Sequence, residues 1–530
     1  MAQDHVFNSI LVQRPSRNTF DLSHSVNTSF NMGQLVPTAA IPVLPGDRYR
    51  ISVENLLRFA PLIAPINAKV NVTTWWFFCP DRILFENQAD WEDWITDPDA
   101  SVSYPFAVTT GGGLEGKLLD HLYGTDGVPG ATNITVGPIA AYTKIWDEWF
   151  RNQNITTTER HVPLTMGSNM SSSYNSILQA DPYLRTWAKD YFTAALPWPQ
   201  KGDSVTLPLL EAGSATVTTQ AAGNTQWLDV ATQNVIQPAS DANVLAAGTT
   251  GATVVDSLGA VYDPNGTLVV DINAAAATIN QLREAYRLQE FLELDAMGGT
   301  RYNEKIYAHF GVKVPDARLS RPELLGRWTG RMAISEVLQT SAALDDANTG
   351  RGNPLGTMGG HGISVTGGKP INFFATEHGW LIGIINVQPV PVYQQGIKRH
   401  WTRLDPMSYF WPKLQHIGEQ EILNREIYRS HSDLTGTFGY TPRYAEYRYE
   451  SNRVAGEMRS SLAHWHLGRI FSSDVALNED FVYCNPSARI FNVLYTGGAE
   501  PEYSGDQIFG MVYNNVYASR LMAKYGRPML

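Results

Sequence analysis

The 530-residue sequence contains two cysteines, Cys79 and Cys484, far apart and outside any CxxC spacing. That excludes a disulfide framework and a cysteine zinc site, so both are expected to be buried, reduced thiols. Charge is scarce, at 17% of residues against about 25% in an ordinary globular chain. No apolar run reaches the roughly 18 residues of a membrane span. Met1 to Pro15 lack the charged-then-apolar layout of a signal peptide, so a cytoplasm-like compartment without membrane insertion is expected. Between Lys201 and Arg283 there is neither Lys nor Arg. Gly362 and Gly367 have the separation of a phosphate loop, but Gly368 takes the lysine position and Pro370 follows Lys369, so no Walker motif is present. Fixed-period repeats are missing, as is any Ser/His/Asp or Cys/His order for nucleophilic catalysis.

Aromatic residues are plentiful instead. With 14 Trp, 24 Tyr and 20 Phe beside so little charge, much of the surface is expected to be contact surface. The net charge of −11 argues against an exterior that grips nucleic acid all over, while leaving room for a local basic face. The length exceeds the roughly 250–300 residues that one core organises, so the chain has two domains or one domain with large insertions.

The clearest β signal is Ala68 to Pro80. Ala68, Val70, Val72, Thr74, Trp76 and Phe78 share one face, and Lys69, Asn71 and Thr73 the other. From Trp75 onward both faces are aromatic, so this end must be covered on both sides, by an opposite sheet and by an insertion or a neighbouring subunit. Gly379 to Val387 and Arg489 to Tyr495 are similar runs. One sheet gathering strands from both ends of the chain predicts a β-sandwich or jelly roll whose loops have grown into most of the protein.

Residues 1–67, rich in Pro, Asn and Ser, read as an extended arm with little core that ties neighbouring subunits together. Residues 68–202 hold the first strands with helical insertions. Within them, Trp91 to Trp94 and Trp146 to Trp149 flank adjacent acids, so a carbohydrate-active enzyme is weighed, although neighbouring acids diverge on a helix. Residues 203–272, without cations and rich in Ala, Thr and Gly, read as an inserted surface excursion with short strands such as Ala252 to Val255 and Thr267 to Val270. Residues 273–376 read as a helical and loop-rich insertion. One helix starts at Ile279, capped by Thr278 and ended by Gly298-Gly299. A second spans Tyr302 to Phe310, and Gly350 to Gly368 is a flexible loop. Residues 377–530 hold the remaining strands, a helix-like Ile417 to Tyr428 and an alternating Tyr440 to Tyr449. His464 and His466 fall on one face of a strand, a metal pair in principle and structural histidines by default. Lys398, Arg399, Trp401 and Arg403 combine cations with a stacking ring, the mixture that binds single strands, and are the DNA-facing candidates; salt bridges between subunits are the alternative.

Several strings carry a family resemblance. They include Phe20 to His24, Asn31 to Gly33, Leu35 to Thr38, Leu44 to Asp47, Phe77 to Arg82, Ile145 to Asn154 and Leu196 to Gly202. They continue through Asp295 to Tyr302, His309 to Val312, Pro315 to Arg318, Tyr393 to Gly396, His416 to Gln420, Phe438 to Tyr440 and Arg443 to Tyr449. In this order they resemble the major capsid protein of the Microviridae, in particular the gokushovirus branch. The resemblance implies a mainly β fold, an eight-stranded viral jelly roll with long, partly helical inter-strand insertions. It also implies a sixty-copy T=1 icosahedral shell around a circular single-stranded DNA genome. The further implications are a virion location after assembly in the bacterial cytoplasm, scaffolding and pilot proteins as partners, a bacterial surface receptor, and neither cofactor nor enzymatic activity. By position, 203–272 stands where the threefold protrusion of that family would be and is expected to meet the host. A phage adhesin, the remaining alternative, would show fibrous repeats.

Overall fold

The computed structural model describes residues 16–108, 112–127, 132–205, 279–340, 355–491 and 505–525, and the backbone of six short strands between residues 217 and 270. Among the described residues, eight strands run seven residues or longer. They are β1 (His24–Phe30), β2 (Val36–Val43), β3 (Arg48–Phe59), β4 (Val70–Pro80), β5 (Glu323–Arg331), β6 (Met358–Gly367), β7 (Gly379–Pro389) and β8 (Ile508–Arg520). All pair antiparallel, in two sheets. Sheet I has the order β1-β8-β3-β6 and sheet II the order β2-β7-β4-β5. Asn18–Asp21, Ala333–Leu338 and Ile371–Phe374 widen sheet I. The protein is mainly β.

Period-two patterning sets the packing. On β3, Tyr49, Ile51, Val53, Leu57 and Phe59 point inward, while Arg48, Arg50, Glu54 and Arg58 are exposed. The inward set meets Val72, Trp76 and Phe78 of β4, Leu381, Ile385 and Val387 of β7, and Val512 and Val516 of β8 in the core between the sheets. The other face of β4 carries Trp75, Phe77 and Cys79, and that of β7 carries Ile382 and Ile384. These pack under a helical layer formed by α1 (Gln88–Thr96), α2 (Leu118–Tyr123), α3 (Gly137–Ile145) and α4 (Ser171–Leu178). Sheet II is therefore covered on both faces, and the covering of β4 by an insertion is the arrangement its aromatic end demands. The approach is close at Gly137, where a Cβ would lie 2.8 Å from Trp380 Nε1 and 2.9 Å from the Tyr104 hydroxyl. Tyr142 locks α3 down by donating to the Leu35 carbonyl at 2.8 Å.

The chain divides into two compact units, one of Met1–Lys201 with Glu293–Leu530, the other of Gly202–Leu292. In the second, Trp227–Asp229 pairs with Val235–Pro238 and Ala260–Tyr262, and Leu268–Val270 pairs with Val217–Thr219. The α5 helix (Ile279–Gly298) ends at Gly299, whose φ is +103°, and α6 (Tyr302–Phe310) ends at Gly311 in the left-handed region. Thr278 and Ala252 to Val255 lie outside the described residues.

Several sequence expectations are corrected. Residues 16–67 are not an arm: they form β1 to β3, because Pro37 and Pro42 sit on β2 at the edge of sheet II, where prolines are tolerated, and β3 alternates charged with apolar residues. The region 323–374 supplies β5 and β6, and the expected loop up to Gly368 contains β6, whose glycines let it lie close to its neighbours; a Cβ at Gly362 would meet the Phe59 ring at 2.2 Å. Ile417 to Tyr428 is the strand Glu419–Leu423 followed by the turn Asn424–Ile427, since Gln420 and Ile422 are buried at period two. The strand before Tyr449 stops at Pro442, and Ala445–Tyr447 is a 3₁₀ turn. Ala488–Ile490 is also a 3₁₀ turn, and residues 492–495 lie outside the described set.

Two outcomes follow. Replacing Trp76, fully buried in the inter-sheet core, with alanine is expected to cost about 3–5 kcal/mol in urea unfolding. Asp81 follows β4 directly, and burial pushes its carboxyl up to about 7, with the charge of Glu377 adding to the shift. The folded state therefore holds this proton longer than the unfolded chain, and stability falls as pH rises from about 4 to about 7. Asp81→Asn should remove that decline and exceed the parent by at most about 4 kcal/mol near pH 8, in urea titrations across pH.

Candidate nucleic-acid interface and contact surfaces

The loop carrying Lys398, Arg399, Trp401 and Arg403 leaves β7 and is tied to the turn Asn424–Ile427. Ile397 donates to the Arg425 carbonyl at 2.9 Å, and a Cβ at Gly396 would fall 1.8 Å from the Glu426 carbonyl oxygen. Lys398 follows, then a 3₁₀ turn, Arg399–Trp401. A pocket of about 260 Å³ opens beneath, lined by Tyr191, Phe192, Tyr393, Trp401, Glu426 and Arg453 among others. Burial pushes the Glu426 carboxyl up, and Tyr191 donates to its Oε2 at 2.9 Å. Burial, reinforced by Lys398 and Arg403, holds the His400 imidazole below its ordinary value.

The structure brings the four candidates into one loop but does not leave their charges available. Lys398 pairs with Glu450, Arg399 with Glu426 at 3.2 Å, and Arg403 with Glu446. Three cations meet three carboxylates, all within one chain. The Arg403 pair is the most buried, with side chains 5% and 7% exposed. Its guanidinium also lies 4.3 Å from the Tyr447 ring centroid, and Glu446 accepts from Gln420 at 2.6 Å. Only Trp401 of the four turns outward, 70% exposed, and beyond it in the chain Leu404, Met407 and Trp411 are exposed as well.

The tryptophan–acid motifs serve the fold. Trp91 and Trp94 lie 5.6 Å apart on α1. The second motif is a π turn, Trp146–Phe150, closed by a bond from the Arg151 amide to the Trp146 carbonyl. Trp146 stacks on Tyr483, whereas Trp149 packs on Phe77 and lies beneath Arg321. Asp147 accepts from the amides of Arg160 and His161 at 2.9 and 2.7 Å and pairs with Arg151, while Glu148 faces Lys144. The two acids therefore point apart and each is engaged. His464 and His466 lie at a 3₁₀ turn, not on a strand. His466 bonds the Met458 carbonyl at 2.7 Å and accepts from the Gly468 amide at 2.9 Å, a structural arrangement. Among the described residues no group of three or more His, Cys, Asp or Glu is placed to hold a metal, and no helix is long and apolar enough to cross a membrane.

The family model described as capsid protein (F protein) matches residues 9–530. Capsid protein VP1 of Bdellovibrio phage phiMH2K is 32% identical, covering 99% of this chain and 97% of its own length. VP1 of Chlamydia phage 1 is 30% identical over 88% of this chain and 89% of its own. VP1 of Spiroplasma virus 4 is 30% identical over 100% and 98%.

Arg403→Gln would strand the buried Glu446 carboxylate without its cation, a change expected to cost about 3–5 kcal/mol. A urea midpoint equal to that of the parent chain would show that the pair is not buried in solution.

Proposed function

The chain belongs to the capsid protein (F protein) family of phages, and from that premise we propose that sixty copies close into a T=1 icosahedral shell around a circular single-stranded DNA genome. It is a structural protein of the virion, of the Microviridae type. The observation that carries the proposal is the sequence match along essentially the whole chain. Numbered along the chain, the sandwich strands fall in the orders 1-8-3-6 and 2-7-4-5. This double Greek-key order supports an eight-stranded viral jelly roll, with the long connections β4–β5 and β7–β8 as its insertions.

A shell subunit works through its surfaces, each heterologous contact closing a ring about a symmetry axis. Large apolar side chains left exposed on one copy support this: Trp401, Leu404 and Trp411 after β7, Ile279 and Tyr286 on α5, and Phe310 on α6. Their burial between copies also fits the low charge of the sequence. Scaffolding and pilot proteins and DNA are the further partners in this reading. At the 398–403 loop, contact with the genome would run through the Trp401 ring, since its three cations are already paired. The compact unit Gly202–Leu292 contains the cation-free segment 203–272, for which we keep a host-facing role at the threefold axes, directed to a bacterial surface receptor.

Sedimentation and negative-stain imaging of the protein from infected cells test the shell. Uniform icosahedral particles are expected. Monomers or small oligomers that persist with all other phage proteins present would overturn the reading. Exchanging residues 203–272 for a short Gly/Ser linker should give particles that assemble but adsorb poorly to host cells; unimpaired adsorption would reject the host-facing role.

A further inference from the structure

With Lys398, Arg399 and Arg403 paired inside the chain, a strand of nucleic acid would have to find free cations elsewhere. The outward face of sheet I carries them. Arg48, Arg50 and Arg58 project from β3 into solvent, and no ion pair holds any of them among the described residues. The Arg48 guanidinium instead lies 5.7 Å from the centroid of the Phe374 ring. Strand register places exposed rings beside the others: Tyr517 of β8 is opposite Arg50, and Phe509 is opposite Arg58. On the other side of β3, Asn372 is opposite Arg50 and Phe374 is opposite Arg48. A groove of about 650 Å³ runs between Thr19, Arg48, Arg50, Asn372, Phe374 and Tyr517. Among the described residues carboxylates share the face too: Glu54 stands between the arginines, Asp21 accepts the Ser23 amide at 2.9 Å, and Asp506 accepts from the Ser29 hydroxyl, opposite Phe509.

The geometry points to this face as a platform for single-stranded nucleic acid, with phosphates at Arg48 and Arg50 and bases stacked on Tyr517 and Phe374. Cations interleaved with exposed rings bind a strand without reading its sequence, because every base has a π face and every nucleotide a phosphate. A protein surface fits less well. It would desolvate three arginines and would have to supply a carboxylate to each. The inference rests on the shell reading only for the source of the strand, a genome enclosed with the protein.

The test is fluorescence anisotropy of a labelled oligo-dT of about 16 nucleotides with the full chain, over a salt series. Arg48→Gln with Arg50→Gln should lower the slope of log K against log salt by about 1.4, two phosphate contacts' worth. Tyr517→Ala should weaken binding roughly tenfold with the slope unchanged, and Tyr517→Phe, which keeps the ring, should restore it. Parent affinity and slope in these variants would overturn the site, as would a parent chain that does not bind the oligonucleotide at low salt. Variants that change particle sedimentation but bind oligo-dT normally would make the face a contact between copies and overturn it equally. Variant particles with parental DNA content would overturn the site while leaving the shell standing. Failure of the shell reading itself would look different: a parent chain that never forms particles.

Discussion

The fold depends on two adjacent strands, β4 and β7, that water reaches from neither side. Nearly every residue from Val70 to Pro80 and from Gly379 to Pro389 is buried, so their side chains must satisfy a sheet on one face and helices on the other. Trp76 and Phe78 fill the space between the sheets, and Trp75 and Phe77 anchor the helical layer one residue away. A single strand thereby joins two cores. The insertion between β4 and β5 is consequently part of the sandwich, because α3 closes the outer side of sheet II.

Polar groups are handled in a complementary way. Several carboxylates that enter the interior are met by named partners: Asp147 by two amides and Arg151, Glu446 by Arg403 and Gln420, Asp47 by Arg520. Cations on irregular loops are thus largely committed to the subunit's own stability. Among the described residues, those on the outward face of sheet I are not, since a regular strand projects every second side chain away from the core.

How much of this was legible follows from the range of each interaction. The β4 alternation and its double covering are local, and so are the helices Ile279–Gly298 and Tyr302–Phe310 with their terminal glycines. Residues 16–67 were misread because their scattered Pro, Asn and Ser read as turn signals. The decisive pattern, Arg48-Tyr49-Arg50-Ile51 and onward, is a strand signal only when alternation is weighted above turn residues. Strand β6 was hidden by its glycines, which pack against side chains rather than mark a loop. At the 398–403 loop the residue types were visible, but their partners lie 27 to 52 positions downstream, at Glu426, Glu446 and Glu450, and no spacing rule reaches that far. Trp146 to Trp149 looked like one helical face; the π turn splits the two rings between different neighbours.

Strand β8 lies between β1 and β3, and Arg17 donates to the Ser519 carbonyl across 502 positions of sequence. Sheet I has a gap in its middle until residues 508–520 exist. At about 5–20 residues per second, a ribosome spends roughly half a minute to two minutes reaching them. Sheet II needs nothing beyond Pro389 and can pair earlier. A nascent chain therefore carries half a sandwich, with the edges of β1 and β3 that β8 will join still unpaired, from Pro389 until residues 508–520 are made. Completion of the subunit is thus a clock set by translation, which keeps an unfinished polypeptide from presenting the finished sheet to its neighbours.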